Sequence, residues 1–105
     1  MTPFLQIRER RAGDEVVLAL SGELDRESSE ELVGRLSRLA HAGASVVLEL
    51  RGLGFIDPSG VETLRRAAAW AAADGWTLAI TGTPPAVHRV LRLAGAEGVL
   101  PLRGA

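Results

Sequence analysis

Phe55-Ile56-Asp57-Pro58-Ser59-Gly60 follows the apolar run Val46-Val47-Leu48-Glu49-Leu50 and opens an apolar-periodic segment at Val61. The order is strand, loop, helix start. Consecutive apolar residues over Ser45 to Leu50, broken only by Glu49, suit a strand covered on both sides. Arg51-Gly52-Leu53-Gly54 reads as a loop. Val61, Leu64, Ala68, Ala71 and Ala72 then share one face of a helix from Pro58 or Ser59 to about Asp74, where Asp74-Gly75 stops it. Asp57 fits the N-cap and Pro58 the first helical position.

The same reading extends outward on both sides. Phe4, Leu5 and Ile7, followed by Arg8-Glu9-Arg10-Arg11, predict a first strand that ends in charge. Ala12-Gly13-Asp14 is a turn by composition, and Val16, Leu18 and Leu20 alternate along a second strand. Together they form a hairpin, which Gly22-Glu23-Leu24-Asp25 terminates. Ser28-Ser29-Glu30-Glu31 fits a capping box, in which Ser28 accepts from the backbone while Glu31 reaches back. Leu32, Leu36, Leu39 and Ala40 share the apolar face of the helix that follows, with Gly34 weakening it by about 1 kcal/mol relative to alanine. Trp76 to Thr81 is a further strand. Thr83 as N-cap with Pro84 at the first position starts a third helix, whose stripe is Val87, Val90, Leu91 and Ala94, and Gly98 to Leu102 forms a short last strand. The order β-β-α-β-α-β-α-β places this chain in the α/β class, with a mostly parallel sheet, an antiparallel N-terminal hairpin strand and right-handed crossovers.

With 105 residues the chain is expected to form one domain over 1–105. A net charge of -1 gives no broad electrostatic footprint for nucleic acid, so no direct DNA binding is expected. The longest small-apolar run, Ala67 to Ala73, falls short of the roughly 20 residues a membrane span needs, and the N-terminus lacks a signal-peptide apolar stretch. The expectation is a cytoplasmic protein without membrane insertion. Cysteine is absent, which excludes disulfides and thiol catalysis. Lysine is absent too, which excludes Schiff-base chemistry and a P-loop. His41 and His88 lie on different helices with no ligand-spaced partners, so no metal and no cofactor are expected. Gly-x-Ser-x-Gly is missing, and Gly52-Leu53-Gly54 lacks the third glycine of a dinucleotide loop. Nothing here supports an enzyme.

The candidate site is therefore the helix start. A serine there has its hydroxyl at the positive end of the helix dipole, where backbone N–H groups can stabilise a phosphate. On local chemistry alone, Asp57 caps the helix and an exposed Ser59 is incidental. Capping and phosphorylation are compatible, because both use free N–H groups. A phosphate adds about -1.5 to -2 charges, which the dipole tolerates and Asp57 repels. Asp57 as the phosphoacceptor of a two-component receiver is set aside: the acidic pair after the first strand and the later lysine are both missing. Trp70 lies off the apolar stripe of its helix. It either packs on a neighbouring loop or anchors a partner, with Glu62, Arg65, Arg66 and Asp74 as the rim.

Three blocks carry a family likeness. Leu20-Ser21-Gly22-Glu23-Leu24-Asp25, the stretch from Val47 to Gly60, and Thr83-Pro84-Pro85-Ala86-Val87-His88-Arg89-Val90-Leu91 occur in the order seen in STAS domains. The chain resembles the anti-sigma factor antagonists of that family over nearly its whole length. The resemblance implies a STAS-like fold, phosphorylation at Ser59, and a surrounding partner-binding surface made by Asp57, Pro58, Gly60 and Asp25. It also implies the partners: an anti-sigma factor that is an ATP-dependent serine kinase, bound when Ser59 is unphosphorylated so that a sigma factor is released, and a phosphatase that resets the cycle. Two departures stand out. Pro58 replaces the family's usual serine, and the sequence stops soon after Leu102, where many members continue into a last helix. The alternative is a STAS subunit without this switch, as in a lipid-transport ABC complex or a stressosome-type scaffold. Small-ligand sensing near the glycine-rich loops is a third reading.

Overall fold

The computed structural model describes residues 5–104. Strand β1 (Leu5–Ala12) turns into β2 (Glu15–Leu24), followed by helix α1 (Ser29–His41), β3 (Ser45–Ile56), α2 (Pro58–Asp74), β4 (Thr77–Thr81) and α3 (Pro85–Leu93). The sheet order is β1-β2-β3-β4. β1 pairs antiparallel with β2, and β2, β3 and β4 are parallel. This is the α/β architecture read from the sequence.

The strands advance steadily across the sheet, so each right-handed crossover lays its helix on the same side. The core follows from that. Val16, Leu18 and Leu20 of β2, Val46, Leu48 and Leu50 of β3, and Leu78 and Ile80 of β4 form one buried cluster with Leu32 and Leu36 of α1, Leu64 and Ala67 of α2, and Val87 and Leu91 of α3. The opposite face holds only a separate row, Val17, Val47 and Ala79, with no helix residue in it. The expectation that β3 is covered on both sides is thereby corrected. On that second face β3 presents Val47 and then Glu49, and ion pairs cross the face in place of a helix layer. Arg10 reaches Glu49 at 3.4 Å, and Arg103 reaches Glu15 at 2.9 Å.

Several boundaries differ from the sequence reading. β1 runs on through Arg8, Glu9, Arg10 and Arg11, because an edge strand can point charge to solvent along its length; Phe4 lies outside the described residues. β3 continues through Arg51 to Gly54 instead of looping out. It does so by shifting register against β2 at Ala19/Ser21 and Gly22/Glu23. Gly52 permits this approach, since a Cβ there would lie 2.8 Å from Ser21 Cβ. α3 starts one residue late, with Pro84 as N-cap and Pro85 first in the helix, so Thr83 is not the cap. The predicted last strand shrinks to a 3-10 turn over Glu97–Val99 and a single parallel bridge between Ile80 and Leu102. Ile80 donates its N–H to Pro101 O at 2.9 Å and accepts from Arg103 N at 2.7 Å. Pro101 has no N–H to extend that ladder.

Candidate functional site

The site forms where β2 and β3 end side by side. Asp57 N–H donates to Leu24 O at 3.2 Å, which clamps the start of α2 to the end of β2. Gly60 makes this clamp possible. A Cβ on it would sit 2.4 Å from Leu24 O and 2.8 Å from Ile56 Cγ1, closer than atoms can approach. Asp57 caps α2 as read from the sequence: its extended backbone turns the chain, and Oδ1 accepts from Gly60 N–H at 2.8 Å. Pro58 occupies the first helical position. Ser59 follows in the first turn and is half-exposed. Its carbonyl accepts from the buried Thr63 hydroxyl at 3.0 Å, while its own Oγ bonds to none of the described residues.

The donors at this helix start are few. Pro58 has none, Gly60 N–H is held by Asp57, and Val61 N–H makes the first helical bond to Asp57 O at 3.0 Å. Among the described residues that leaves the N–H of Ser59 itself. Pro58, as its replacement of the family's serine implies, and the Asp57 cap together leave this helix start with that one donor. A phosphate on Ser59 would keep the dipole field and one donor, next to the Asp57 carboxylate.

Asp25 stands at the same edge, one residue beyond the Leu24 carbonyl against which α2 packs. Its Oδ1 accepts from Ser28 N–H at 3.0 Å, from Ser28 Oγ at 3.0 Å and from Glu27 N–H at 3.1 Å. These bonds, led by the Ser28 N–H, hold its carboxyl below the usual aspartate range. No hydrogen bond joins Asp25 to Ser59 among the described residues; what joins them is backbone contact through Leu24. The capping box expected at Ser28 does not form. Ser28 is buried, accepts from Asp25 N–H at 2.9 Å and donates to Glu23 O at 2.9 Å, so its hydroxyl staples the end of β2 instead of capping α1. Ser29 donates to Asp25 O at 2.6 Å.

A feature that the sequence reading missed lies beside this edge. Phe55 is 49% exposed and borders a shallow cleft of about 120 Å³ with Ala86, Val87 and Val90 of α3. Alternation alone does not signal this: Leu53, two residues earlier, is buried in the core, and β3 shifts register against β2 in this stretch. Trp70 resolves toward packing. It meets Trp76 edge-to-face at 5.2 Å and 82°, and its Nε1–H donates to Asp74 Oδ2 at 2.8 Å, so Asp74 serves the tryptophan instead of a rim. A cavity of about 300 Å³ opens at Gly82, Thr83, His88 and Arg103, away from Gly52-Leu53-Gly54, and its guanidinium is held by Glu15. Among the described residues no three metal-ligand side chains cluster, and no helix is long and apolar enough to cross a membrane.

Comparison with known proteins adds to this geometry. The family model described as Mlab, STAS domain matches residues 7–102. An anti-sigma F factor antagonist of Paenibacillus polymyxa is 27% identical over 100 residues, covering 93% of this chain and 86% of that protein. In three dimensions the chain superposes on an anti-sigma factor antagonist from Mycobacterium paratuberculosis with a TM-score of 0.83 at 18% identity, over 96% of this chain and 86% of that one. It also superposes on the phosphorylated form of the Bacillus cell fate determinant SpoIIAA, with a TM-score of 0.67 at 22% identity, over 95% and 91% of the two chains.

Proposed function

This chain belongs to the STAS domain family, and from that premise we propose that it is an anti-sigma factor antagonist switched by phosphorylation of Ser59. Unphosphorylated, it docks on an anti-sigma factor through the edge formed by Asp25, Asp57, Pro58, Ser59 and Gly60, and the sigma factor is set free. It acts as a binding protein and not as an enzyme. The anti-sigma factor, a serine kinase in this reading, transfers a phosphoryl group from ATP to Ser59 Oγ, and a phosphatase removes it.

The observation that carries this reading is the Ser59 hydroxyl, which is half-exposed, has no hydrogen bond to any described residue, and sits at a helix start with one unused N–H. The geometry favours a blocking switch over an ordering one. A dianion with only one local donor and a carboxylate neighbour stays hydrated, and a partner that docks over it must strip that water away. The fold need not change for docking to fail. Incubation with the cognate anti-sigma kinase and ATP, followed by peptide mass spectrometry, tests the site: phosphate is expected on Ser59 and lost with Ser59→Ala. Modification elsewhere, or none, would refute it.

The scarcity of donors also favours a second reading. Pro58 removes an N–H that a serine would supply, as expected of a STAS subunit that has given up the switch and serves a lipid-transport ABC complex or a stressosome-type scaffold. Co-purification with an ATPase subunit in place of a soluble kinase distinguishes the two.

A further inference from the structure

The helix-free face of the sheet is charged in a pattern that nothing in the proposed switch uses. Pairing registers place Arg8 opposite Ala19 and Arg10 opposite Val17, with Val17 beside Val47 and Ala19 beside Glu49. Arg51 stands on the same side as Glu49, since a Cβ built on Gly82 would lie 3.5 Å from Arg51 Cβ and 3.6 Å from Glu49 Cγ. Three arginines thus share this part of the face with one glutamate. Arg103 and Glu15 pair with each other at the far end of the face, and Glu23 lies beyond the register shift, opposite Phe55. Arg10 meets Glu49 at 3.4 Å with 57% of its side chain exposed, so solvent screens the contact and it is readily exchanged. Arg8 and Arg51 are exposed and make no ion pair with any described residue.

We infer that this face binds an extended acidic segment of a partner protein. Arg8 and Arg10 are two residues apart on one strand, so their side chains leave the sheet about 7 Å apart. An extended chain with carboxylates at alternate positions repeats at the same interval. Guanidinium forks suit carboxylates, and the Val17–Val47–Ala79 row gives their aliphatic stems an apolar floor. Nucleic acid is the poorer fit. Glu49 opposes any anion alike, so the difference lies elsewhere: the central rows offer no aromatic ring for a base to stack on.

The test uses the whole chain and a labelled short peptide of alternating Glu and Thr, titrated by fluorescence anisotropy at low and at physiological salt. Binding that weakens with salt is expected, with an affinity loss of about tenfold in Arg8→Glu/Arg51→Glu and less than about twofold in the control Arg89→Glu/Arg92→Glu on the exposed side of α3. A peptide of the same composition with its glutamates in one block is expected to bind more weakly. If the reversal variant fails to fold by circular dichroism, Arg8→Gln/Arg51→Gln replaces it. The proposal is overturned by absence of peptide binding, by equal losses in the control, by a single-stranded oligonucleotide of equal charge binding more tightly, or by sedimentation showing that a second copy already covers the face.

Discussion

α1 and α2 both start against the end of β2, and both follow sequences that look like helix caps, yet only α2 is capped as its sequence suggests. At α2, Asp57 faces no competing donor before Gly60 N–H, and Pro58 presets the first turn. At α1, the Ser28 hydroxyl accepts from the Asp25 N–H and shares its single proton between the Glu23 carbonyl and the Asp25 carboxylate. The lesson is about competition. A cap motif states which bonds a residue can make; the tertiary neighbours decide which it makes. The two outcomes also divide the labour. The α1 start is consumed in fixing the strand end, which leaves the α2 start with the half-exposed hydroxyl that bonds to none of the described residues.

Substitutions at the two helix starts test this difference. Gly60→Ala has the largest expected effect, a destabilisation of about 3 kcal/mol, because the added methyl collides with the Leu24 carbonyl and must push α2 off β2. Urea unfolding measures it, and a change under about 1 kcal/mol would mean that the clamp is loose. Asp25→Ala comes next, since it strands the Ser28 and Glu27 N–H groups together. Its charge is read separately with Asp25→Asn. The folded carboxyl is held below its ordinary range, so its stabilisation is complete at neutral pH and is lost as pH falls through that range toward the depressed value. The gap in melting temperature between the wild type and Asp25→Asn is therefore expected to be widest near neutrality and to close in acid. Asp57→Ala should cost about 1 kcal/mol as a lost cap, measured in the same urea experiment. Glu31→Ala should stay within about 0.5 kcal/mol, since no capping box exists at α1 to lose; a larger cost would restore the box.

The hairpin, the alternation of parallel strands with helices, and the Asp57–Pro58 cap were legible because each rests on local chemistry: alternation along Val16, Leu18 and Leu20, turn composition at Ala12-Gly13-Asp14, and a proline that fits only a few positions. The rest depends on neighbours distant in sequence. Gly52 looks like loop glycine until Ser21 is known to lie against it, and Thr83 looks like a cap until the helix proves to start one residue later. The helix-free sheet face was hidden for a related reason. Val47 is apolar and buried whether or not a helix lies over it. At the site, Asp57, Pro58, Ser59 and Gly60 were named from one continuous motif, and Asp25 from family likeness. The exposed Phe55 was passed over because it was read only as part of the motif leading into the second helix.

The central claim is that a phosphate on Ser59 prevents docking without disturbing the fold. Its most direct test is a calorimetric titration of the cognate anti-sigma factor with the unmodified chain and with the chain phosphorylated at Ser59. The account predicts that affinity falls by at least about tenfold on phosphorylation, with superimposable circular dichroism of the two forms. Equal affinities would contradict it, as would a phosphorylated chain that fails to bind only because it has unfolded.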